Sequence, residues 1–91
     1  MPSYLVETFL ARGDAGGRTA RERRARSVAA ELTAQGTQVR FDRTIHIPED
    51  EICFFVFDAP SGRHAALAAQ RAELEPLRVV EAVSSGEEYR P

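Results

Sequence analysis

The sequence has no lysine, no asparagine and no tryptophan, and it contains a single cysteine among its 91 residues. One cysteine cannot form a disulfide within the chain, which excludes a disulfide-stapled scaffold and predicts a reducing, cytoplasmic location. No apolar run approaches the roughly 20 residues that a membrane-spanning helix requires, and no secretory-signal pattern is found. We therefore expect a protein that does not partner with a membrane.

The sequence also lacks a large excess of either sign of charge. Fourteen carboxylates oppose twelve arginines, so the net charge is only −2. Five of the arginines fall between Arg18 and Arg26, where a phosphate partner would suit them. A nearly neutral chain, however, lacks the broad basic surface of nucleic-acid-binding proteins, and arginine-only, alanine-rich usage is typical of a GC-rich genome. Nucleic acid is therefore not an expected partner.

The length and the residue patterns favour one small α+β domain. A chain of 91 residues suffices for one hydrophobic core, and we predict a domain over residues 1–84 followed by a flexible tail over residues 85–91. Apolar runs and alternation predict strands over Ser3–Leu10, Thr37–Ile47, Ile52–Phe57 and Leu77–Val83. Helical spacing of apolar residues predicts helices over Arg18–Gln35 and from Ser61, the expected N-cap, toward Pro76.

This order of elements, β-α-β-β-α-β, is that of a ferredoxin-like fold. Right-handed crossovers would place both helices on one face of a four-stranded antiparallel sheet and leave the other face open. An open apolar sheet face needs a cover, and the usual cover is a second copy of the chain. We therefore predict a homodimer with a cavity for a small hydrophobic ligand between its two sheets.

Strand alternation assigns side chains to the open face. The apolar residues of the second strand share one face, so Arg40, Asp42, Thr44 and His46 are expected on the other, open face. Glu7 and Glu81 are also expected at the open face, because a carboxylate is costly beneath helices.

The third strand is apolar throughout, so its facing is ambiguous. Either Cys53, Phe55 and Phe57 or Ile52, Phe54 and Val56 face the open side, and we favour the first set. The predicted lining of the ligand cavity is Tyr4, Arg40, Arg43, Phe55, Phe57 and Glu81.

Four short stretches carry a resemblance to a known family. They are Tyr4–Glu7 (YLVE), Pro48–Glu51 (PEDE), Cys53–Pro60 (CFFVFDAP) and Arg78–Ala82 (RVVEA). In these stretches the chain resembles a family of small actinobacterial proteins of otherwise unassigned function, whose best-described type is a nickel-binding, ferredoxin-like homodimer. The chain departs from the family where a Gly-Leu-Pro turn usually precedes the last strand, since it has Glu73–Pro76 (ELEP) there.

The resemblance implies a small metal- or ligand-binding protein, with nickel or another divalent transition metal as the expected cofactor. Such ions prefer imidazole nitrogen and thiolate sulfur, and we predict His46, Cys53 and Glu49 as ligands. No Cys-x-x-Cys or His-x-x-x-His spacing accompanies them. A half-exposed strand histidine and a small buried cysteine are the more ordinary interpretations of these two residues.

A second function class is open to the same fold. It is a cofactor-free cyclase, isomerase or oxygenase acting on a hydrophobic metabolite, with Glu7, Asp42 and His46 as the catalytic acid–base residues. The same residue pattern is typical of a half-solvated strand. Because the chain contains no nucleophile elbow, phosphate loop or dinucleotide fingerprint, the sequence leaves open whether the protein is an enzyme.

Overall fold

The computed structural model describes residues 1–85. Its strands are β1 (Ser3–Phe9), β2 (Arg40–Ile47), β3 (Ile52–Asp58) and β4 (Arg78–Ala82), and its helices are α1 (Ala15–Ala34) and α2 (Gly62–Arg71). The strands form one four-stranded sheet in the order β2-β3-β1-β4, and every neighbouring pair is antiparallel. The predicted α+β, ferredoxin-like order is confirmed. The predicted tail lies, apart from Ser85, outside the described residues.

The helix ends follow from local chemistry. Asp14 caps α1, because its carboxylate accepts a hydrogen bond from the Gly17 backbone N–H at 2.8 Å, so the helix begins earlier than the predicted Arg18. Gly36 follows the end of α1 with a φ of 100°, a conformation that suits glycine. The predicted N-cap of α2 is confirmed, since the Ser61 hydroxyl accepts from the His64 backbone N–H. No helix within residues 1–85 is long and apolar enough to span a membrane.

The core lies between the two helices and one face of the sheet. The predicted apolar face of α1 is buried, and Ala65, Ala68 and Ala69 of α2 are completely buried. Small side chains let α2 approach the sheet closely, while aromatic rings fill the space under α1. The Phe41 ring lies 5.4 Å from that of Phe57 and 6.3 Å from that of Phe55, measured between centroids. These tilted pairs are the favoured packing of aromatic rings.

A β-bulge at Asp42 changes the facing of β2. Phe41 pairs with Phe57 and Arg43 pairs with Val56, so β2 advances two residues while β3 advances one. Every residue of β2 after the bulge therefore points to the opposite face from the one that strict alternation predicts. Thr44 and His46 face the helices, and their predicted place on the open face is wrong.

The favoured facing of β3 is also wrong. Cys53, Phe55 and Phe57 are fully buried on the helix side of the sheet, and the other set faces the open side. Tyr4 pairs with Phe57 and is buried on the helix side as well. Packing decides this outcome, because the rings of Phe55 and Phe57 pack with that of Phe41 in the core beneath the helices.

Glu81 belongs to the helix side too, although it was predicted on the open face. It pairs with Tyr4 and remains exposed. Because β4 is the edge strand, its carboxylate reaches water without passing beneath a helix. The expected cost of burial therefore does not arise there.

Candidate functional site

The open face of the sheet is a grid of four rows of side chains. Reading each row from β2 toward β4, the pairing gives Arg40, Asp58, Ser3 and Ala82; Arg43, Val56, Leu5 and Val80; Ile45, Phe54, Glu7 and Arg78; and Ile47, Ile52 and Phe9. We call this set the open face. Of the predicted cavity and catalytic residues, it contains Glu7, Arg40 and Arg43.

One end of the open face, made of its fourth row and the adjoining Ile45, is apolar and partly exposed. Phe9 is 59% exposed, and Ile45 and Ile47 are each 38% exposed. They adjoin partly buried side chains of β1 and β3 in a continuous patch. Monomeric proteins seldom leave a patch of this kind in water, and such patches mark binding surfaces.

Every charged side chain on the open face has a partner within the chain. Arg40 binds Asp58 at 2.6 Å, Arg43 binds Asp42 at 3.0 Å, and Arg78 binds Glu7 at 2.8 Å. The face therefore carries no net charge. An uncharged face does not repel a second copy of itself.

Asp58 is the best-anchored carboxylate of this face. Burial alone would raise its pKa, but a hydrogen bond from the Ser3 hydroxyl at 2.7 Å and the ion pair with Arg40 outweigh burial and lower the pKa below its ordinary value. Both partners stabilise the charged carboxylate. Asp58 thus ties the starts of β1 and β2 to the end of β3.

We expect Asp58→Asn to lower the free energy of unfolding at pH 7 by about 1 kcal/mol, since it removes a charge-assisted contact that is partly screened by water. Because the pKa is lowered in the folded state, the stabilisation is complete above the ordinary aspartate pKa of 3.8. It is lost as the pH falls from there through the folded-state value. Urea unfolding at pH 7 and at pH near 3 measures it, and the difference between the two proteins should shrink at the lower pH. The exposed Asp50→Asn is the control, and an equal effect there would contradict the prediction.

A second group of polar side chains lies on the opposite side of the sheet, beneath the first half of α1. We call Arg18, Arg21, Thr44, His46 and Cys53 the inner polar cluster. His46 and Cys53 are directly paired across β2 and β3. Arg18 Nη1 lies 3.4 Å from His46 Nδ1, and the charges of Arg18 and Arg21 act on the Cys53 thiol.

The inner polar cluster leaves several buried atoms without a partner. Arg21 Nη1, Thr44 Oγ1 and His46 Nε2 are shielded from water and form no hydrogen bond within residues 1–85. Buried polar atoms are normally paired, because an unpaired one costs about 1–3 kcal/mol. Three such atoms in one small region are unusual.

The predicted metal ligands do not fit a metal ion in this arrangement. His46 and Cys53 are neighbours, but Glu49 lies in the exposed 3₁₀ turn Pro48–Asp50. Burial raises the pKa of the Cys53 thiol to about 11, whereas a metal binds the thiolate. Two guanidinium groups beside the pair would also repel a cation. Within the described chain, no three histidine, cysteine or acidic side chains are grouped closely enough to hold a metal ion.

The predicted catalytic residues do not meet either. Glu7 is on the open face and is bound to Arg78, His46 is on the helix side, and Asp42 is the bulged residue between them. A sheet separates Glu7 from His46 in one protomer. They therefore cannot act together on one substrate there.

The arginine-rich start of α1 is engaged within the chain. Arg24 donates to the backbone carbonyls of Ala72 and Glu73, at 2.7 and 3.2 Å, which caps the end of α2. Arg26 lies over the Phe41 ring, 5.1 Å from its centroid, as in a cation–π contact. The sequence analysis missed these roles of Arg24 and Arg26. It also missed that Arg18 and Arg21 face the sheet, although their helical spacing from the buried Ala25 was a signal of it.

Comparison with known proteins gives a likeness of fold. The chain is similar to SCO4226 of Streptomyces coelicolor A3(2), known from a crystal structure, with a TM-score of 0.74 over 91% of this chain and 98% of that chain. The identity is 12%. The search of family models and the search of curated proteins found no match.

Proposed function

We propose that this protein is a small homodimeric ligand-binding protein, in which two copies pack open face against open face. Sheets that pack in this way lie about 10 Å apart with interlocking side chains. The apolar end of the open face would form the apolar part of the interface. The ion pairs would form its polar border, as in other protein interfaces.

The observation that carries the proposal is the charge balance of the open face. A two-fold interface brings a surface against itself, so any net charge on the surface meets the same charge on the partner. Arg40, Arg43 and Arg78 are each neutralised by a carboxylate of their own protomer. A second copy can therefore cover the face without an uncompensated charge, while a strongly charged partner gains nothing from it.

The size of the open face suits a modest affinity. With strands about 4.8 Å apart and a rise of about 3.3 Å per residue, the four strands cover roughly 400 Å² in projection. A standard interface buries about 800 Å² of accessible surface per partner. Side-chain relief adds to the projected area, and we expect dissociation in the micromolar range.

The ligand of the proposed dimer is a small hydrophobic molecule with one polar group. Glu7 and Arg78 share the third row with Phe54 and Ile45, so a polar pair lies beside the apolar end of the open face. An apolar body between the sheets with a polar end at this pair would satisfy both kinds of surface. A cytoplasmic location belongs to the same proposal, since Cys53 is a free and buried thiol.

Sedimentation velocity over a concentration series tests the dimer. We expect the wild type to be dimeric at tens of micromolar, and Ile45→Arg to weaken the dimer by at least about 100-fold, because it places an unpaired cation within the apolar part of the interface. Ala34→Arg is the matched control, since it adds the same charge at an exposed position at the end of α1. A wild type that stays monomeric at these concentrations, or an Ile45→Arg dimer as tight as the control, would overturn the proposal.

Nickel binding and the alternative of a cofactor-free cyclase, isomerase or oxygenase stay predictions of the sequence. The proposed dimer uses neither.

A further inference from the structure

The unpartnered atoms of the inner polar cluster can all act as hydrogen-bond donors. A guanidinium group can only donate hydrogen bonds, so His46 Nδ1 accepts from Arg18 Nη1 and the ring proton lies on Nε2. Arg21 Nη1 is likewise a donor, and the Thr44 hydroxyl can be one. The cluster thus presents buried N–H and O–H groups that lack an acceptor.

These donors lie along one contact between the first half of α1 and the helix-side face of the sheet. Thr44 and His46 are two residues apart on the helix-side face of β2, so their side chains are neighbours along the strand. Arg18 and Arg21 are one turn apart on the face of α1 that continues into the buried Ala25. Arg18 reaches His46, and the charge of Arg21 acts on Cys53, the residue paired with His46.

The charge of the region favours an anion. Neither Arg18 nor Arg21 takes part in a salt bridge within residues 1–85. Glu22 is the carboxylate next to them on α1, and it neutralises at most one of the two guanidinium charges. A partly buried cation without a counter-charge is costly, and an acceptor with a negative charge would offset both deficits at once.

We propose that the inner polar cluster binds a small oxyanion, a carboxylate or phosphate group, through Arg21 Nη1, His46 Nε2–H and the Thr44 hydroxyl. Such a group has several acceptor lone pairs and no donor, which matches the atoms left unpaired. Arg18 fixes the tautomer of His46 and adds its charge. This site lies on the other side of the sheet from the proposed dimer interface and does not depend on it.

Titration of the wild type with inorganic phosphate, and separately with acetate, tests the site. Both are done in a cationic buffer with chloride keeping the ionic strength constant, and the His46 Nε2 resonance and the midpoint of thermal unfolding are followed. We expect a saturable shift of that resonance and a rise of the midpoint with at least one of the two anions. A response to phosphate alone identifies a phosphate group as the ligand chemistry, and a response to acetate alone identifies a carboxylate.

Two variants of equal charge change make the test specific. Arg21→Gln should weaken the anion by at least about tenfold, because it removes a charge-assisted hydrogen bond. Arg23→Gln, on the exposed side of the same helix, should stay within about twofold of the wild type. If Arg21→Gln does not fold, Thr44→Val removes a proposed donor without a change of charge and should also weaken binding.

Two results would overturn the site. One is the absence of any saturable response of the folded wild type to either anion, which would mean that water or chloride fills the cluster. The other is equal weakening by Arg21→Gln and Arg23→Gln, which would mean loose attraction to the arginine-rich helix.

Discussion

Phe55→Ala should lower the free energy of unfolding by about 3–5 kcal/mol, the loss expected when a buried aromatic ring is truncated. Phe55 is completely buried on the helix side of β3, with its ring 6.3 Å from that of Phe41. It is paired with Val6 and Thr44 on the two neighbouring strands, so its ring lies between their side chains on the face of the sheet that the helices cover. The truncation would leave a cavity that rigid strands cannot close. Urea unfolding followed by circular dichroism measures the loss.

Phe54→Ala is the matched control for Phe55→Ala. It is the next residue of the same strand and loses the same atoms, but it lies on the open face and is only partly buried. At a protein concentration low enough to keep the chain monomeric, we expect it to cost less than about 2 kcal/mol. Its main effect should be on the proposed dimer. Equal losses from both truncations, or a larger loss from Phe54→Ala, would contradict the facing of β3 described above.

Deletion of Asp42 should leave the fold intact, with a loss below about 1.5 kcal/mol. Asp42 is the extra residue of the bulge, opposite the step from Phe57 to Val56. Without it, Arg43 follows Phe41 directly and keeps its place on the open face, and Thr44 and His46 keep theirs beneath the helices. The deletion removes only the Arg43–Asp42 contact and the local kink.

Deletion of Ile45 is the contrasting variant, and it should cost at least about 3 kcal/mol. The strand can accommodate it in two ways. Either the hairpin turn shifts its register, or the bulge is absorbed and Arg43 moves to the helix-side position of Thr44, beside Arg18 and Arg21. Both alternatives are unfavourable. Cooperative unfolding of the Ile45 deletion at wild-type stability, with failure of the Asp42 deletion to fold, would disprove the role of the bulge.

The features that were predictable from the sequence are local ones. The helical faces that include Ala25 and Ala68 could be recognised because residues three and four apart share a side of any helix. The Ser61 cap could be recognised because its hydroxyl serves the backbone of the adjacent turn. The order of the elements gave the fold class, since few arrangements of β-α-β-β-α-β satisfy the rules of handedness.

The candidate site was less predictable, because it depends on facing. Glu7 and Arg40 were correctly expected on the open face. His46 was not, since period-two alternation carries no sign of the inserted residue at Asp42. Phe55 was not, since a strand that is apolar on both faces gives no preference. The pairing of Arg18 with His46 joins residues 28 positions apart and has no local signature.

The amino-acid sequence by itself determined which segments are helices and strands and which side of each helix is apolar, because these depend on neighbours within a few residues. Only the tertiary structure decided which side of each strand meets the helices. That choice depends on the register between β2 and β3 and on the packing of large aromatic rings with small side chains. It is the reason that the open face combines apolar side chains with paired charges, and that the unpaired donors lie beneath α1.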